Sequence, residues 1–180
     1  MYRVTIAGTS MPEDIRLIAS SGESFNHFDL PMFTTEKHLM PISEKLRALI
    51  RSAWDDGAPC LVATQGPNGP NISPKGSMVV FDDDHLAFWE RSKKQALENL
   101  GHDKRVCVIY ANFKAQRDGI LDSGFLRFYG KVELHESGPV RDTIFNLLLP
   151  REQTHVGADT GIGVLVRIER AADVRGKPLP

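Results

Sequence analysis

Leu86-Ala87-Phe88-Trp89-Glu90-Arg91-Ser92-Lys93-Lys94-Gln95-Ala96-Leu97-Glu98-Asn99-Leu100 joins an apolar, strand-like run to a helical one. Ser92 stands where an N-cap is wanted, and Lys93 and Lys94 follow it. A helix start exposes unpaired N–H groups and carries partial positive charge, so two lysines there have the wrong sign for stability. An anion bound at that point repairs the mismatch. N–H groups, a hydroxyl and ammonium groups around a phosphate are a recurring arrangement at helix starts. The stretch therefore predicts a strand, a phosphate grip and a helix closed by Gly101.

Upstream, Ser43 caps an amphipathic helix with Leu46, Leu49, Ile50, Ala53 and Trp54 at helical spacing, ended by Asp55-Asp56-Gly57. Strands are expected at Cys60 to Thr64, Asn71 to Phe81 and His85 to Glu90. Pro74 and Gly76 put a kink or bulge in the second. Asp82-Asp83-Asp84 is a tight acidic turn. Downstream, strands are expected at Arg105 to Ala111 and Phe125 to Leu134, with a charged loop from Asn112 to Gly124 between them. Ser137-Gly138-Pro139 opens a helix that Pro150 stops. Gly163 to Glu169 is apolar at nearly every position, which predicts a strand buried on both faces. Short turns make the early strands antiparallel. The fold expected is mainly β with flanking α: a six-stranded antiparallel barrel with helices at its ends, over residues 42–180. Residues 1–41 read as an N-terminal arm punctuated by Phe25, Phe28 and Phe33, with one helical turn near Pro12 to Ala19.

The 180 residues suffice for one domain with a substantial core, and 41% hydrophobic with 25% charged residues is an ordinary globular balance. A net charge of -1 gives no global attraction to nucleic acid or to an anionic membrane, so neither is expected as a partner. No apolar run approaches the ~20 residues of a membrane helix, and Met1 to Ser10 lacks the pattern of a secretory leader. Cys60 and Cys107 both lie in apolar runs and read as two buried thiols, in keeping with a reducing cytoplasm. The six histidines show no metal spacing, and no serine sits in a nucleophile elbow, so no metal site and no hydrolase triad are expected.

The order and spacing of several pieces resemble the pyridoxamine 5′-phosphate oxidase-like family, the FMN-binding split barrels. The pieces are the leading helix, Ala58-Pro59-Cys60-Leu61-Val62-Ala63-Thr64, Pro70-Asn71-Ile72-Ser73-Pro74-Lys75-Gly76, Phe88-Trp89-Glu90 before Ser92-Lys93-Lys94, and Phe125-Leu126-Arg127-Phe128-Tyr129-Gly130-Lys131-Val132. The likeness covers Ser43 to Glu169. It implies a homodimer with FMN at the subunit interface and a small-molecule substrate. It also implies phosphate contacts from Lys75, Ser92, Lys93 and Lys94. Backbone along Ser73, Lys75, Gly76, Ser77 and Met78 would meet the ring edge, and Trp89 and Glu90 would lie along the flavin.

Each of these residues has an ordinary alternative. Lysines are usually solvated, a tryptophan is usually core, and a charge in an alternating strand such as Arg127 usually faces water. Arg127 otherwise reaches the flavin or substrate of the partner subunit, and Lys114, Gln116 and Arg117 could edge the pocket. Glu90 must direct its carboxylate away if phosphate binds beside it. Lys75 stands where many relatives have arginine, which costs the two-pronged phosphate contact. The functional expectation is an FMN-dependent oxidoreductase, with no residue assigned a catalytic role because the flavin carries the redox chemistry. A deazaflavin-dependent reductase and a non-catalytic flavin- or haem-binding protein are the alternatives. Pyridoxamine phosphate oxidation itself is not expected, because Ala171 to Pro180 lacks a substrate clamp rich in tryptophan, arginine and histidine.

Overall fold

Residues 76–78 are the hinge of the architecture. In the computed structural model, which describes residues 42–179, seven antiparallel strands form one sheet in the order β2-β1-β5-β6-β7-β4-β3. The strands are β1 (Cys60–Gly66), β2 (Gly69–Lys75), β3 (Val79–Val80), β4 (His85–Glu90), β5 (Arg105–Ala111), β6 (Phe125–His135) and β7 (Ile162–Asp173). β2 and β3 are the two edges, yet only residues 76–78 separate them in the chain. Four Cα steps reach at most about 14 Å, so the edges must come together and the sheet must curl into a barrel. The seam between them is the split.

The sequence predicted one kinked strand from Asn71 to Phe81 and six strands in all; the break at residues 76–78 makes seven. Its cause is local. Ser77 is buried, its hydroxyl accepts from the Trp89 N–H at 3.0 Å and donates to the Trp89 carbonyl at 3.1 Å. The side chain thus takes the backbone groups that a continued β3–β4 ladder would use. Gly76, Ser77 and Met78 make no ladder hydrogen bond among the described residues. Pro74 fits an edge strand, where a missing N–H costs no ladder bond.

Period-two alternation builds the interior. Val62, Val108, Phe128 and Val166 point into the barrel, and the alternating burial of β1, β5 and β6 follows from it. Among the described residues five helices accompany the sheet: α1 (Glu44–Ser52), α2 (Gln95–His102), α3 (Phe113–Arg117), α4 (Pro139–Leu147) and α5 (Pro150–Gln153). α1 starts where expected, with Ser43 Oγ accepting from Leu46 N at 3.3 Å, and it buries Ile50 against the barrel. It stops at Ser52, so Trp54 belongs to the following turn and is 47% exposed. The expected loop from Asn112 to Gly124 contains α3, which Asn112 caps by accepting from Ala115 N at 2.8 Å. Pro150 does not only end a helix. It occupies the first turn of α5, a position proline suits.

β7 is buried on both faces only at its start, where α4 packs over it; from Arg167 onward it alternates with solvent. The second core lies under α4 and comprises Val79, Ala87, Trp89, Ile144 and Leu148. Trp89 is 2% exposed there. Its indole donates to Ala158 O at 2.8 Å, and the Arg141 guanidinium sits 4.7 Å from the ring centroid. The outward sheet face carries Leu61, Ala63, Ile72, Cys107, Ile109, Arg127 and Tyr129 in one register. Cys107 is consequently half-buried rather than buried, which corrects half of the two-thiol expectation. Burial pushes the Cys60 thiol up to about 12, so it stays protonated and inert.

The arm at residues 1–41 and its expected helical turn lie outside the described residues. The Trp89 packing gives a direct check of the fold. A Cβ on Gly161 would stand 1.9 Å from Trp89 Nε1. Gly161→Ala should therefore lower stability by about 1–3 kcal/mol, the usual cost of overpacking, as read by chemical denaturation.

Candidate functional site

The seam places β2's last residue beside β4's last residue. Lys75 ends β2 with its side chain on the inner side of the sheet, in register with buried Cys60. Glu90 ends β4 and is 1% exposed. Its carboxylate forms a salt bridge with the Lys75 ammonium. The same carboxylate accepts from Ser92 N at 2.9 Å and from Ser92 Oγ at 2.6 Å. The Lys75 ammonium also lies 5.0 Å from the Phe88 ring centroid. Three donors, one of them charged, converge on a single carboxylate.

This arrangement corrects the expectation for Glu90. Its side chain does not point away from the grip; it fills it. An anion is expected from the sequence where Ser92 meets Lys93 and Lys94; the chain's own Glu90 instead occupies Ser92 and Lys75, and Lys93 and Lys94 take no part. Ser92 is correspondingly not the N-cap. Lys94 holds that position without a side-chain cap, because the Ser92 hydroxyl is committed to Glu90. Lys93 turns the chain between them with φ 47°, a left-handed conformation uncommon outside glycine. Lys93 and Lys94 are both exposed. The helix runs through Gly101 to His102 and is capped by Asp103 N–H to Asn99 O at 2.8 Å.

Other predicted residues separate into two groups. Ser73, Lys75, Gly76, Ser77 and Met78 follow one another along the seam. Ser77 and Met78 have buried side chains, so only their backbone is available. Ser73 Oγ is buried without a hydrogen-bond partner among the described residues. Trp89, by contrast, buries its ring under α4 and offers no flavin platform; its burial and its bond to Ala158 O overturn that reading. Arg127 lies three strands from β2 on the outward face, about 14 Å of sheet from Pro74. It donates to the carbonyls of Asp173 at 3.0 Å and Val174 at 2.9 Å. Within one chain it is not gathered with Lys75 and Ser92. Lys114 pairs with Asp118 at 2.6 Å and Gln116 donates to Asp122 O at 3.3 Å, so both serve the α3 loop.

The other wall of the seam was missed from sequence. A Cβ on Gly76 would lie 3.0 Å from Glu152 Oε1 and 3.0 Å from Trp54 Cε3, so both side chains crowd this glycine. Glu152 is buried and accepts from Arg91 Nη1 at 2.6 Å. From sequence, Trp54 is expected on the apolar face of the first helix, and Glu152 is not singled out. The acidic turn draws the ligand atoms of Asp82, Asp84 and His85 within 4.8 Å of one another. Asp82 Oδ1 there accepts from Asp84 N at 3.1 Å and lies 2.8 Å from His85 Nδ1, so the cluster is accounted for by the turn's own bonds.

The electrostatics favour an ionised Glu90. Burial raises its carboxyl, but hydrogen bonds from Lys75 and Ser92, the Lys75 charge and the Ser92 N–H together outweigh burial and hold it below the ordinary 4.5.

The profile of the pyridoxamine 5′-phosphate oxidase family matches residues 42–161. The chain belongs to this family of FMN-binding split barrels. No curated protein sequence matches the chain. Among solved structures, HupZ of Group A Streptococcus is similar with TM-score 0.58 and 23% identity, covering 77% of this chain and 99% of that one. A candidate pyridoxamine 5′-phosphate oxidase of Lactobacillus delbrueckii is similar with TM-score 0.52 and 21% identity, covering 73% and 93%. An FMN-binding protein of Syntrophomonas wolfei is similar with TM-score 0.53 and 14% identity, covering 72% and 86%. At these identities the likenesses show the fold.

The lowered Glu90 carboxyl has a consequence for acid stability. A carboxyl held lower in the folded than in the unfolded chain stabilises the fold above 4.5, and that contribution is lost as pH falls through the folded value. Unfolding free energy should therefore drop on acidification below 4.5, and Glu90→Gln should flatten this part of the profile in urea melts from pH 6 to about pH 3.

Proposed function

We propose that the protein is an FMN-binding homodimer that catalyses oxidation or reduction of a small molecule. The observation that carries the reading is the seam itself. Its donors, Lys75 Nζ with the N–H and hydroxyl of Ser92, form a set that holds an anion. Beside them runs backbone that makes no ladder bonds, at residues 76–78, together with the Ser73 hydroxyl, which has no partner among the described residues. Carboxylate and phosphate oxygens accept the same charge-assisted hydrogen bonds, so this donor chemistry fits the FMN phosphate. Family membership supports the choice of flavin.

In this reading Ser92, Lys93, Lys94 and Lys75 hold the phosphate, and the free backbone at residues 76–78 meets the polar edge of the ring. Bound FMN supplies the electron-transfer chemistry. The protein orients it, and buried apolar neighbours such as Phe88 and Met78 limit water at the inner end of the seam. Cytoplasmic residence is part of the proposal; two free cysteines suit it. No helix among the described residues is long and apolar enough to cross a membrane.

The dimer part of the proposal has its own support. Ile72 is 62% exposed on the outward sheet face, in register with half-buried Ala63, Cys107 and Tyr129. A charge in the middle of an apolar subunit contact is costly. Sedimentation should report a dimer, and Ile72→Asp should shift it toward monomer; a monomeric parent protein would refute the assembly.

FMN binding is measured by quenching of flavin fluorescence and by the visible spectrum of reconstituted protein. Replacing Lys93 and Lys94 together by alanine should weaken FMN affinity roughly ten- to hundredfold, on the scale of one charge-assisted hydrogen bond. A protein that takes up no FMN overturns the reading.

A further inference from the structure

If the seam binds a phosphate, it must first give up the anion it already holds. We propose that Glu90 is an internal competitor for the flavin phosphate and sets the protein's preference between phosphorylated and unphosphorylated flavins. The inference rests on the FMN reading but goes past it, to a residue that opposes binding.

The geometry leaves little room for indifference. Glu90 spends both carboxylate oxygens on the grip, Oε2 on Lys75 and Oε1 on two donors of Ser92. The carboxylate is almost wholly shielded from solvent, at 1% exposure, and Lys75 at 9% is nearly so. Lys93 and Lys94 are exposed and make no salt bridge among the described residues, so they remain open to a second anion. A phosphate attracted by them meets a like charge at the donors it needs. It gains Lys75 and Ser92 only when Glu90 releases them. Apparent affinity then falls by the fraction of molecules in which the grip is free. Riboflavin has no phosphate and makes no such exchange. The ring's contacts with residues 76–78 are common to both flavins, so Glu90 acts on the difference between them.

The test compares FMN and riboflavin affinities in the parent protein and in Glu90→Gln, which keeps the shape and removes the charge. FMN should bind the variant about tenfold more tightly or better, the scale of a charge-assisted hydrogen bond regained, while riboflavin affinity stays within about twofold. FMN affinity that is unchanged or weaker in the variant overturns the competition and leaves the flavin reading standing. Equal tightening of both flavins also overturns it, since Glu90 would then act on the ring. Absence of FMN binding in both proteins removes the competition and the flavin reading together.

Should Glu90→Gln fail to fold, the parent protein answers through the amide resonance of Ser92. That N–H now donates to Glu90, and exchange of partner should move its signal with FMN and with inorganic phosphate but not with riboflavin. A Ser92 amide unmoved while other resonances report bound FMN overturns the proposal.

Discussion

Three residues decide the shape of this protein. β2 and β3 are the outermost strands of a seven-stranded sheet, and residues 76–78 are all the chain between them. No flat or gently twisted sheet brings its first and last strands within so short a reach. Closure is therefore a covalent constraint before it is a packing preference. The apolar inner positions of β1, β5, β6 and β7 then have an enclosed space to fill. The same three residues leave the ladder, so the constraint that closes the barrel also creates a stretch of seam backbone without ladder bonds. Ser77 stabilises the break by serving as a hydrogen-bond partner for Trp89 in place of a strand.

Charge balance at the seam follows from that closure. Lys75 and Glu90 lie 15 residues apart in the chain and meet only because β2 and β4 end at the same seam. A buried charge without a partner is costly, and here each satisfies the other, with Ser92 completing the carboxylate's shell. The chain's own carboxylate thereby holds these donors in position.

Much of the fold was legible because it rests on local periodicity. The alternation in β1, β5 and β6, the Ser43 cap and the Gly138-Pro139 helix start are written within a few residues each. The split of the second strand was not, since the hydroxyl that ends the ladder belongs to Ser77 while the groups it satisfies belong to Trp89. The candidate site was legible as a set of residue types and illegible as a network. Lys75 and Ser92 stand out in the sequence as anion donors, but their meeting with Glu90 does not, because side-chain direction is a tertiary property. Trp89 shows the same limit. Its position beside the phosphate stretch suggested a flavin contact, and only the packing of α4 reveals which way its ring turns.

Strand order also bears on how the chain is made. β7 lies between β6 and β4 in the sheet, although it is the last strand to leave the ribosome. Until it arrives, the β3–β4 hairpin has no hydrogen-bonded strand neighbour. Synthesis from the N-terminus therefore holds an incomplete sheet with open edges for the time taken to make some 70 residues after β4. Nascent chains of this fold are thus expected to depend on chaperone shelter during elongation more than on any slow step after release.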